Sequence, residues 1–192
     1  MTPEKIILGS GSEHRKIVLT EAGYEFDVIS ADIDERAIQN DDPEQLAIDI
    51  ANAKADALLP KITEPSILIT GDQVVVWKGE VRGKPKDAEQ AKHFLQTSID
   101  YPPETLSALV VVNTATGKRA SGADRVRTSF NPIPEDVINR VVAKGITMTT
   151  AGGFQVRDED LKPYIEHMTG TQDSIEGFPL ALLEKLMEEV AE

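Results

Sequence analysis

Hydroxyl and cationic side chains that could hold a phosphorylated ligand follow a short apolar run near the amino terminus. Ser10 and Ser12 alternate with glycine in the stretch 9–12, and Arg15 follows three residues later. A loop between a strand and a helix presents backbone N–H groups and the positive end of the helix dipole, which attract anions. A serine-capped connection has the same pattern, and the loop is not a Walker loop, because GxxxxGK followed by Ser or Thr is absent. The pattern thus predicts an anion site and leaves the plain connection open.

Two lysines lie where an anionic partner is expected. Lys54 is four residues from both Ile50 and Leu58, so it falls on the apolar side of a predicted helix. Because an unpaired buried ammonium is costly, Lys54 either extends its tip to water or meets an anion. Lys84 lies in Gly83-Lys84-Pro85, where the neighbours restrict the backbone; an ordinary surface turn is the alternative.

Carboxylates that could bind a divalent cation occur in two places. Asp72 closely follows the apolar run 67–70, and α/β proteins place active-site residues where buried strands end. Asp32, Asp34 and Glu35 follow another predicted strand, and several carboxylates together can hold a hard cation such as Mg²⁺. A turn aspartate and a solvated acidic loop are the respective alternatives. The three histidines show no metal-binding spacing.

The elements that must position these residues alternate between strand and helix patterns, which predicts an α/β fold. Strands are predicted at 5–8, 24–28, 66–70, 74–77, 106–112 and 126–130, and helices at 13–22, from 43, from 87 through 96, at 135–144 and from 179. The first helix is expected to turn Ile17 and Val18 inward. The second is expected to bury the apolar stripe Leu46, Ile50, Ala53 and Ala57. Residues 158–177 give no clear pattern.

Composition narrows the class of protein. The chain has 192 residues, no cysteine and a formal net charge of −13. The length predicts one domain over residues 1–192, with the hairpin around residues 113–118 and its neighbours as a candidate second lobe. The acidic surface argues against a nucleic-acid partner. With no apolar run long enough for a membrane span and no signal-like leader, we expect a cytoplasmic protein without membrane contact.

Several of these segments occur in the order and spacing of one known family. Ser10-Gly11-Ser12-Glu13-His14-Arg15 resembles an SxSxRR signature, and Ala31–Glu35 resembles a DIDE segment. Further matches are similar to the EKA helix, the (A/G)D(T/Q)VV strand, the GKPxDxxxA loop and the late AG and GLPL positions: Ala53-Lys54-Ala55, Gly71-Asp72-Gln73-Val74-Val75, Gly83–Ala91, Ala151-Gly152 and Gly177-Phe178-Pro179-Leu180. Over nearly its whole length, the chain resembles the Maf family of nucleoside triphosphate pyrophosphatases.

The resemblance implies a fold, a reaction and roles for residues. It implies an inosine-triphosphatase-like architecture, with a mixed twisted central sheet flanked by helices and a cleft between two lobes. It implies hydrolysis of a nucleoside triphosphate to monophosphate and pyrophosphate, a house-cleaning activity in nucleotide metabolism, and homodimers among its members. Ser10, Ser12, Arg15 and Gln73 would bind substrate; Lys54 and Lys84 would neutralise the triphosphate; Glu35 and Asp72 would bind Mg²⁺ or Mn²⁺, and Asp72 would help deprotonate the attacking water.

The departures leave alternatives open. Glu13 and His14 stand where the signature has Pro and Arg, so a cation is replaced and an anion is added beside the predicted phosphate site. This weakened signature motivates a non-catalytic nucleotide-binding regulator of cell division as one alternative. The inosine-triphosphatase family, which is similar in fold and reaction but has Asn and Lys where this chain has Ser12 and Arg15, is a second. A plain α/β scaffold or interaction module is the third. The sequence does not assign the chain to the pyrimidine (dTTP/UTP) or the 7-methyl-GTP branch.

Overall fold

The computed structural model describes residues 5–191 and shows a mixed α/β protein with helices on its sheet. The strands are β1 Lys5–Leu8, β2 Asp27–Val28, β3 Ser66–Trp77, β4 Glu80–Arg82, β5 Glu104–Asn113, β6 Arg119–Phe130 and β7 Ile165–Met168. The α-helices are α1 Glu13–Glu21, α2 Pro43–Leu58, α3 Ala88–Asp100, α4 Glu135–Ala143, α5 Gln172–Ile175 and α6 Leu180–Ala191. Short 3₁₀ turns fall between them, one of which spans Glu35–Ala37.

The chain divides into two compact units. The first contains residues up to Asp72, Ser107–Asp124 and the segment from Glu176, and the second contains Gln73–Leu106 and Arg125–Ile175. Three strands, β3, β5 and β6, have residues in both units, so the predicted hairpin does not belong to one lobe alone. The single domain and the cleft between lobes stay predictions.

The first unit carries a sheet with helices on both faces. Its strand order is β2-β1-β3-β5-β6, and β1 pairs in parallel with both β2 and β3. On one face α1 and α6 pack on alternate strand residues, in a core that includes Ile67, Ile69 and Phe178. Side chains alternate across a strand, so Thr70 faces the other way, and its hydroxyl donates to Ala51 O of α2 at 2.7 Å.

The second unit has its own core. β4 pairs antiparallel with the end of β3, and β7 pairs antiparallel with β6. Helices α3 and α4 supply apolar residues to a cluster that includes Leu95, Val141 and Phe130. Phe130 and Phe154 contact edge to face, with ring centroids 5.5 Å apart. Apolar burial of this kind stabilises each unit from within.

Several predictions about elements were wrong in detail. Strand β6 begins at Arg119 instead of at residue 126, and β2 covers only Asp27–Val28 of the predicted 24–28. Residues 66–70 and 74–77 are one continuous strand, so Asp72 lies within β3 instead of after a strand. Ile17 is 40% exposed. The buried positions of α2 are Ala47, Ile50, Ala51, Ala55 and Leu58, so only Ile50 of the predicted stripe is fully buried. The remaining predicted helices begin and end within a few residues of the observed ones, and Asp42 and Asp87 cap α2 and α3 as expected.

Within residues 5–191, no helix is both long and apolar enough to cross a membrane.

Candidate active site

The predicted anion loop lies between β1 and α1, as expected. It begins at Gly9, whose N–H donates to Ile69 O at 2.7 Å. A Cβ on Gly9 would lie 2.6 Å from both Leu58 Cδ1 and Thr70 Cγ2, so the close approach of this loop to β3 and α2 requires glycine. Ser12 occupies the N-cap of α1 but makes no side-chain capping bond. The loop therefore joins the carboxyl end of β1 to α1, and the Ser12 hydroxyl at the N-cap makes no hydrogen bond to the backbone of α1.

Arg15 is held beneath this loop by three hydrogen bonds. It is only 8% exposed. Its Nη1 donates to Ser10 Oγ at 3.2 Å and to Gly71 O at 2.7 Å, and its Nε donates to Gly177 O at 3.0 Å. The Ser12 N–H donates to the same Ser10 Oγ at 3.3 Å. A buried guanidinium needs such acceptors, because an unpaired buried charge is costly.

Lys54 lies between two carboxylates. Its Nζ is 2.7 Å from Asp72 Oδ1 and 2.8 Å from Glu35 Oε1, and it also approaches Gly71 O at 3.5 Å. The Lys54 and Asp72 side chains are nearly buried, at 12% and 13% exposure, whereas Glu35 is half exposed at 53%. The Lys54 ammonium thus meets anions, which is one of the two outcomes that its position predicts.

Burial dominates the electrostatics of the site. It raises the pKa of Asp72 above its ordinary value, although Lys54 and Arg15 act in the opposite direction. Burial also lowers the pKa of Arg15, while Asp72 and Glu35 act to raise it. A protein arginine stays charged even so. Desolvation of the Asp72 carboxylate therefore outweighs the effect of its cationic neighbours on its pKa.

The first unit brings six of the predicted residues together through these contacts: Ser10, Ser12, Arg15, Glu35, Lys54 and Asp72. The other two predicted residues belong to the second unit. Lys84 is exposed in the loop after β4, and the Gln73 amide donates to Ile175 O at 2.7 Å. Asp34 instead caps the 3₁₀ turn by accepting the Arg36 N–H at 3.2 Å, and Asp32 is exposed. The roles of all these residues in binding and catalysis stay predictions.

The donor set suits a hard divalent cation shared with a substrate. Asp72 and Glu35 both contact one nitrogen atom, so their carboxylates are close neighbours, and Mg²⁺ is commonly held by one or two carboxylates plus phosphate oxygens and water. Among the described residues there is no group of three or more His, Cys, Asp or Glu that could hold a metal alone. Glu35 and Asp72 therefore fit a metal whose remaining ligands come with a phosphorylated substrate.

Sequence reasoning missed the backbone acceptors. Gly71 O and Gly177 O each bind Arg15, and the Thr70 hydroxyl fixes α2 to β3. No side-chain pattern reports a carbonyl direction. The one signal in the sequence is the Gly-Phe-Pro-Leu stretch that begins at Gly177. In the structure Gly177 has φ +87°, a conformation that residues with a Cβ adopt only with strain.

Together, fold and site define an α/β protein that gathers cations and carboxylates at the carboxyl end of a parallel strand. A sequence model of the family described as Maf-like protein matches residues 5–190. The chain therefore belongs to the Maf-like protein family.

Relatives match over most or all of their length. A Dictyostelium discoideum protein named 7-methyl-GTP pyrophosphatase is 38% identical, with 100% of both chains covered. A Bdellovibrio bacteriovorus protein named dTTP/UTP pyrophosphatase is 30% identical over 95% of this chain and 96% of that protein. A Salinispora tropica protein named nucleoside triphosphate pyrophosphatase is 28% identical over 98% of this chain and 84% of that protein.

Proposed function

We propose that this chain hydrolyses nucleoside triphosphates to nucleoside monophosphates and pyrophosphate. The observation that carries the proposal is Lys54, whose ammonium lies between Glu35 and Asp72 beside the Gly9–Ser12 loop. Cations and carboxylates in one place suit a polyphosphate with its metal. Membership of the Maf-like family and the pyrophosphatase names of three relatives support the same reaction.

We assign the residues as follows. Glu35 and Asp72 would hold Mg²⁺ or Mn²⁺, which when bound supplies Lewis acidity and a more acidic water. Asp72, a nearly buried carboxylate beside Lys54, accepts the proton of the attacking water. The water oxygen bonds to the α phosphorus, the α–β phosphoanhydride bond breaks, and pyrophosphate departs with that electron pair. Lys54 and Lys84 neutralise the charge that gathers on the phosphates.

The Gly9–Ser12 loop takes the phosphate oxygens. Ser10 Oγ already accepts from the Arg15 guanidinium and from the Ser12 N–H, which uses both of its acceptor positions. Its own O–H is therefore directed to an acceptor such as a phosphate oxygen. Ser12 and Arg15 belong to the same end of the site, and Gln73 contacts the substrate from the adjoining stretch of β3.

The names of the relatives suggest which bases to test first. Identity is 38% to the protein named 7-methyl-GTP pyrophosphatase and 30% to the one named dTTP/UTP pyrophosphatase. We therefore propose a modified purine nucleotide, 7-methyl-GTP, as the first substrate to test and the pyrimidine nucleotides as the second. A cytoplasmic location and a homodimer stay predictions.

A substrate panel in ¹⁸O-labelled water tests the reaction. Purified protein with Mg²⁺ or Mn²⁺ is given 7-methyl-GTP, dTTP, UTP and ITP, and pyrophosphate and orthophosphate are measured separately. Attack at the α phosphorus predicts pyrophosphate as product, with the label in the monophosphate. Label in the pyrophosphate, or release of orthophosphate, contradicts the assignment, and ITP as the best substrate indicates the inosine-triphosphatase alternative.

Asp72→Asn separates catalysis from binding. We expect the variant to lose turnover by about 10²-fold or more, the lower range for a general base, while it still binds nucleotide. Asp56→Asn is the matched control, since Asp56 is an exposed carboxylate of α2 that pairs with Arg119. Nucleotide binding without turnover in the wild type would instead favour the non-catalytic regulator.

Lys84→Ala tests whether Lys84 binds the triphosphate. Loss of a charge-assisted contact is expected to weaken triphosphate binding by roughly tenfold or more. Lys86→Ala is the control, because Lys86 is an exposed lysine two residues along the same loop. Equal affinities in the two variants would remove Lys84 from the site.

A further inference from the structure

Arg15 has fewer hydrogen-bond directions available for a substrate than its predicted role suggests. A guanidinium has five N–H donors in a rigid fork. The single N–H of Nε is used on Gly177 O, and the two of Nη1 are used on Ser10 Oγ and Gly71 O. These three acceptors belong to the protein, the two N–H groups of Nη2 are the remaining donors, and the residue is 8% exposed. The geometry is that of an internal brace.

The three acceptors come from three separate segments of the first unit. Ser10 belongs to the loop after β1, Gly71 is the residue before Asp72 in β3, and Gly177 lies in the turn before α6. One planar group thus sets the positions of a phosphate-loop hydroxyl and of the peptide that carries the proposed base. Geometry of this kind matters because a displacement of about 1 Å in a catalytic group can cost about 10²-fold in rate.

The turn at Gly177 orients the Gly177 carbonyl toward Arg15 Nε. Gly177 has φ +87°, a conformation that residues with a Cβ adopt only with strain. The next residue, Phe178, is fully buried in the core of the first unit. A fixed side chain directly after a left-handed glycine holds the peptide between them in one orientation, with its oxygen on Arg15 Nε.

We propose that Arg15 is a positioning residue that holds Ser10, Asp72 and the Gly177 turn in register, and not a ligand of the substrate phosphates. The inference rests on the proposed function, because that function is what requires Ser10 and Asp72 to keep fixed relative positions. It makes the segment from Gly177 through α6 part of the catalytic frame, although none of its side chains belongs to the proposed site.

Arg15→Lys tests the role directly, because it keeps the charge and removes the fork. A positioning role predicts that kcat falls by about 10²-fold. The KM, and the Kd of an α,β-methylene nucleoside triphosphate that resists hydrolysis, should stay within about threefold of the wild type, since no phosphate contact is lost. A phosphate ligand predicts the reverse: Kd weakened by roughly tenfold or more with kcat little changed. That result would overturn the proposal.

Gly177→Ala tests the same brace from its acceptor side and does not depend on Arg15→Lys folding well. The added Cβ strains the turn and displaces the carbonyl, so kcat should fall while the Kd of the analogue is kept. Gly117→Ala is the matched control, because Gly117 also belongs to the first unit and has φ +77°, but lies in the β5–β6 turn with open space around its Cβ position. Similar losses of kcat in both glycine variants would show a general effect of strain and contradict the brace.

Failure of the proposed function gives a different result. If the wild type releases pyrophosphate from no nucleotide, the enzyme assignment fails, and the Kd values of the methylene analogues of 7-methyl-GTP and UTP still decide the role of Arg15. If the wild type does not bind those analogues, both proposals fail.

Discussion

Lys54 is the cation that pairs with both carboxylates of the proposed site. Its ammonium is shared by Asp72 and Glu35, at 2.7 and 2.8 Å, so its single positive charge offsets part of the negative charge that would otherwise attract a metal ion. A triphosphate offers the same ammonium a stronger anionic partner. Metal and nucleotide should therefore bind together, because transfer of Lys54 to the phosphates frees the carboxylates for the metal.

Lys54→Met should increase the affinity of the nucleotide-free protein for Mn²⁺ while it weakens nucleotide binding. The expected gain is at least about tenfold, since unit charges about 4 Å apart interact by ~4 kcal/mol at an effective dielectric constant of 20. Electron paramagnetic resonance of free Mn²⁺ measures it without turnover. Lys5→Met is the control: Lys5 also bridges two carboxylates, Asp27 and Glu64 at 3.2 Å each, but at the exposed surface. A gain in Lys5→Met alone, or in neither variant, contradicts the prediction.

Asp72 gives the site a pH dependence of known sign. Because the folded pKa of Asp72 is raised by burial, the folded state binds more protons than the unfolded state between the unfolded pKa near 4 and the higher folded value. The Asp72 contribution to stability therefore becomes more favourable as pH falls through that window. At pH 7, with metal removed by chelation, Asp72→Asn should be more stable than the wild type, and the difference should shrink toward pH 4.

Asp160→Asn is the comparison variant, because the contribution of Asp160 to stability changes with pH in the opposite direction to that of Asp72. Lys144 lowers the pKa of Asp160, so its stabilisation is present at neutral pH and is lost as pH falls through the folded pKa. Urea unfolding of both variants and the wild type at several pH values measures the two trends. A difference of the same sign in both variants at pH 7 would contradict the account of Asp72.

At the scale of elements, α1 shows how far the sequence could predict the site. Its position, its start after Ser12 and the loop before it were predicted and are confirmed. Its inward face was predicted only in part: Val18 is buried as expected, but Ile17 is exposed, and the other buried residues are Arg15 and Leu19. A pattern based on hydropathy places charge outside, but Arg15 is buried because three acceptors from distant segments meet it there.

The buried face of helix α2 was mispredicted for a related reason. The predicted stripe contained Leu46, Ile50, Ala53 and Ala57, whereas burial follows Ala47, Ile50, Ala51, Ala55 and Leu58. Alanines occur on most of its surface, so hydropathy does not select one face, and contacts across to β3 decide. Residues 158–177 form a four-residue strand, a four-residue helix and a 3₁₀ turn, and such short elements complete no period of either pattern.

Strand β3 depends on a glycine at its centre. A Cβ on Gly71 would lie 2.7 Å from Ala108 O and 3.0 Å from Leu109 Cδ2, and the first contact is with backbone that cannot rotate away. Gly71→Ala should therefore lower the free energy of unfolding by about 1–3 kcal/mol. Gly83→Ala is the comparison, because nothing lies within 4 Å of its Cβ position and its φ is not positive. A urea midpoint for Gly71→Ala as high as that for Gly83→Ala would contradict the steric argument.

At the scale of the whole molecule, each unit has a core of its own, but β3, β5 and β6 continue through both. Unbroken strands are expected to couple the two cores into one unfolding transition. The only tryptophan, Trp77, belongs to the second unit. Its fluorescence therefore reports on one unit, while circular dichroism reports on both.

Leu186→Ala, in α6 of the first unit, tests this coupling. It should destabilise the protein by about 2–5 kcal/mol and shift the Trp77 fluorescence transition by as much as the circular dichroism transition. Leu95→Ala is the matched variant in the second unit, since both leucines are 1% exposed. Fluorescence and dichroism curves that separate in Leu186→Ala would show that the units unfold independently.

The residues from Phe178 to Val190 have a consequence for the newborn chain on the ribosome. They complete the core that begins with Leu8, Val18 and Leu19. The amino-terminal part of this core therefore cannot be fully packed before the carboxyl-terminal part has been synthesised. While translation proceeds, the apolar faces of β1 and α1 stay without their final cover until α6 has left the exit tunnel. The interval before that release is when the nascent polypeptide is most exposed to aggregation and has most need of chaperones.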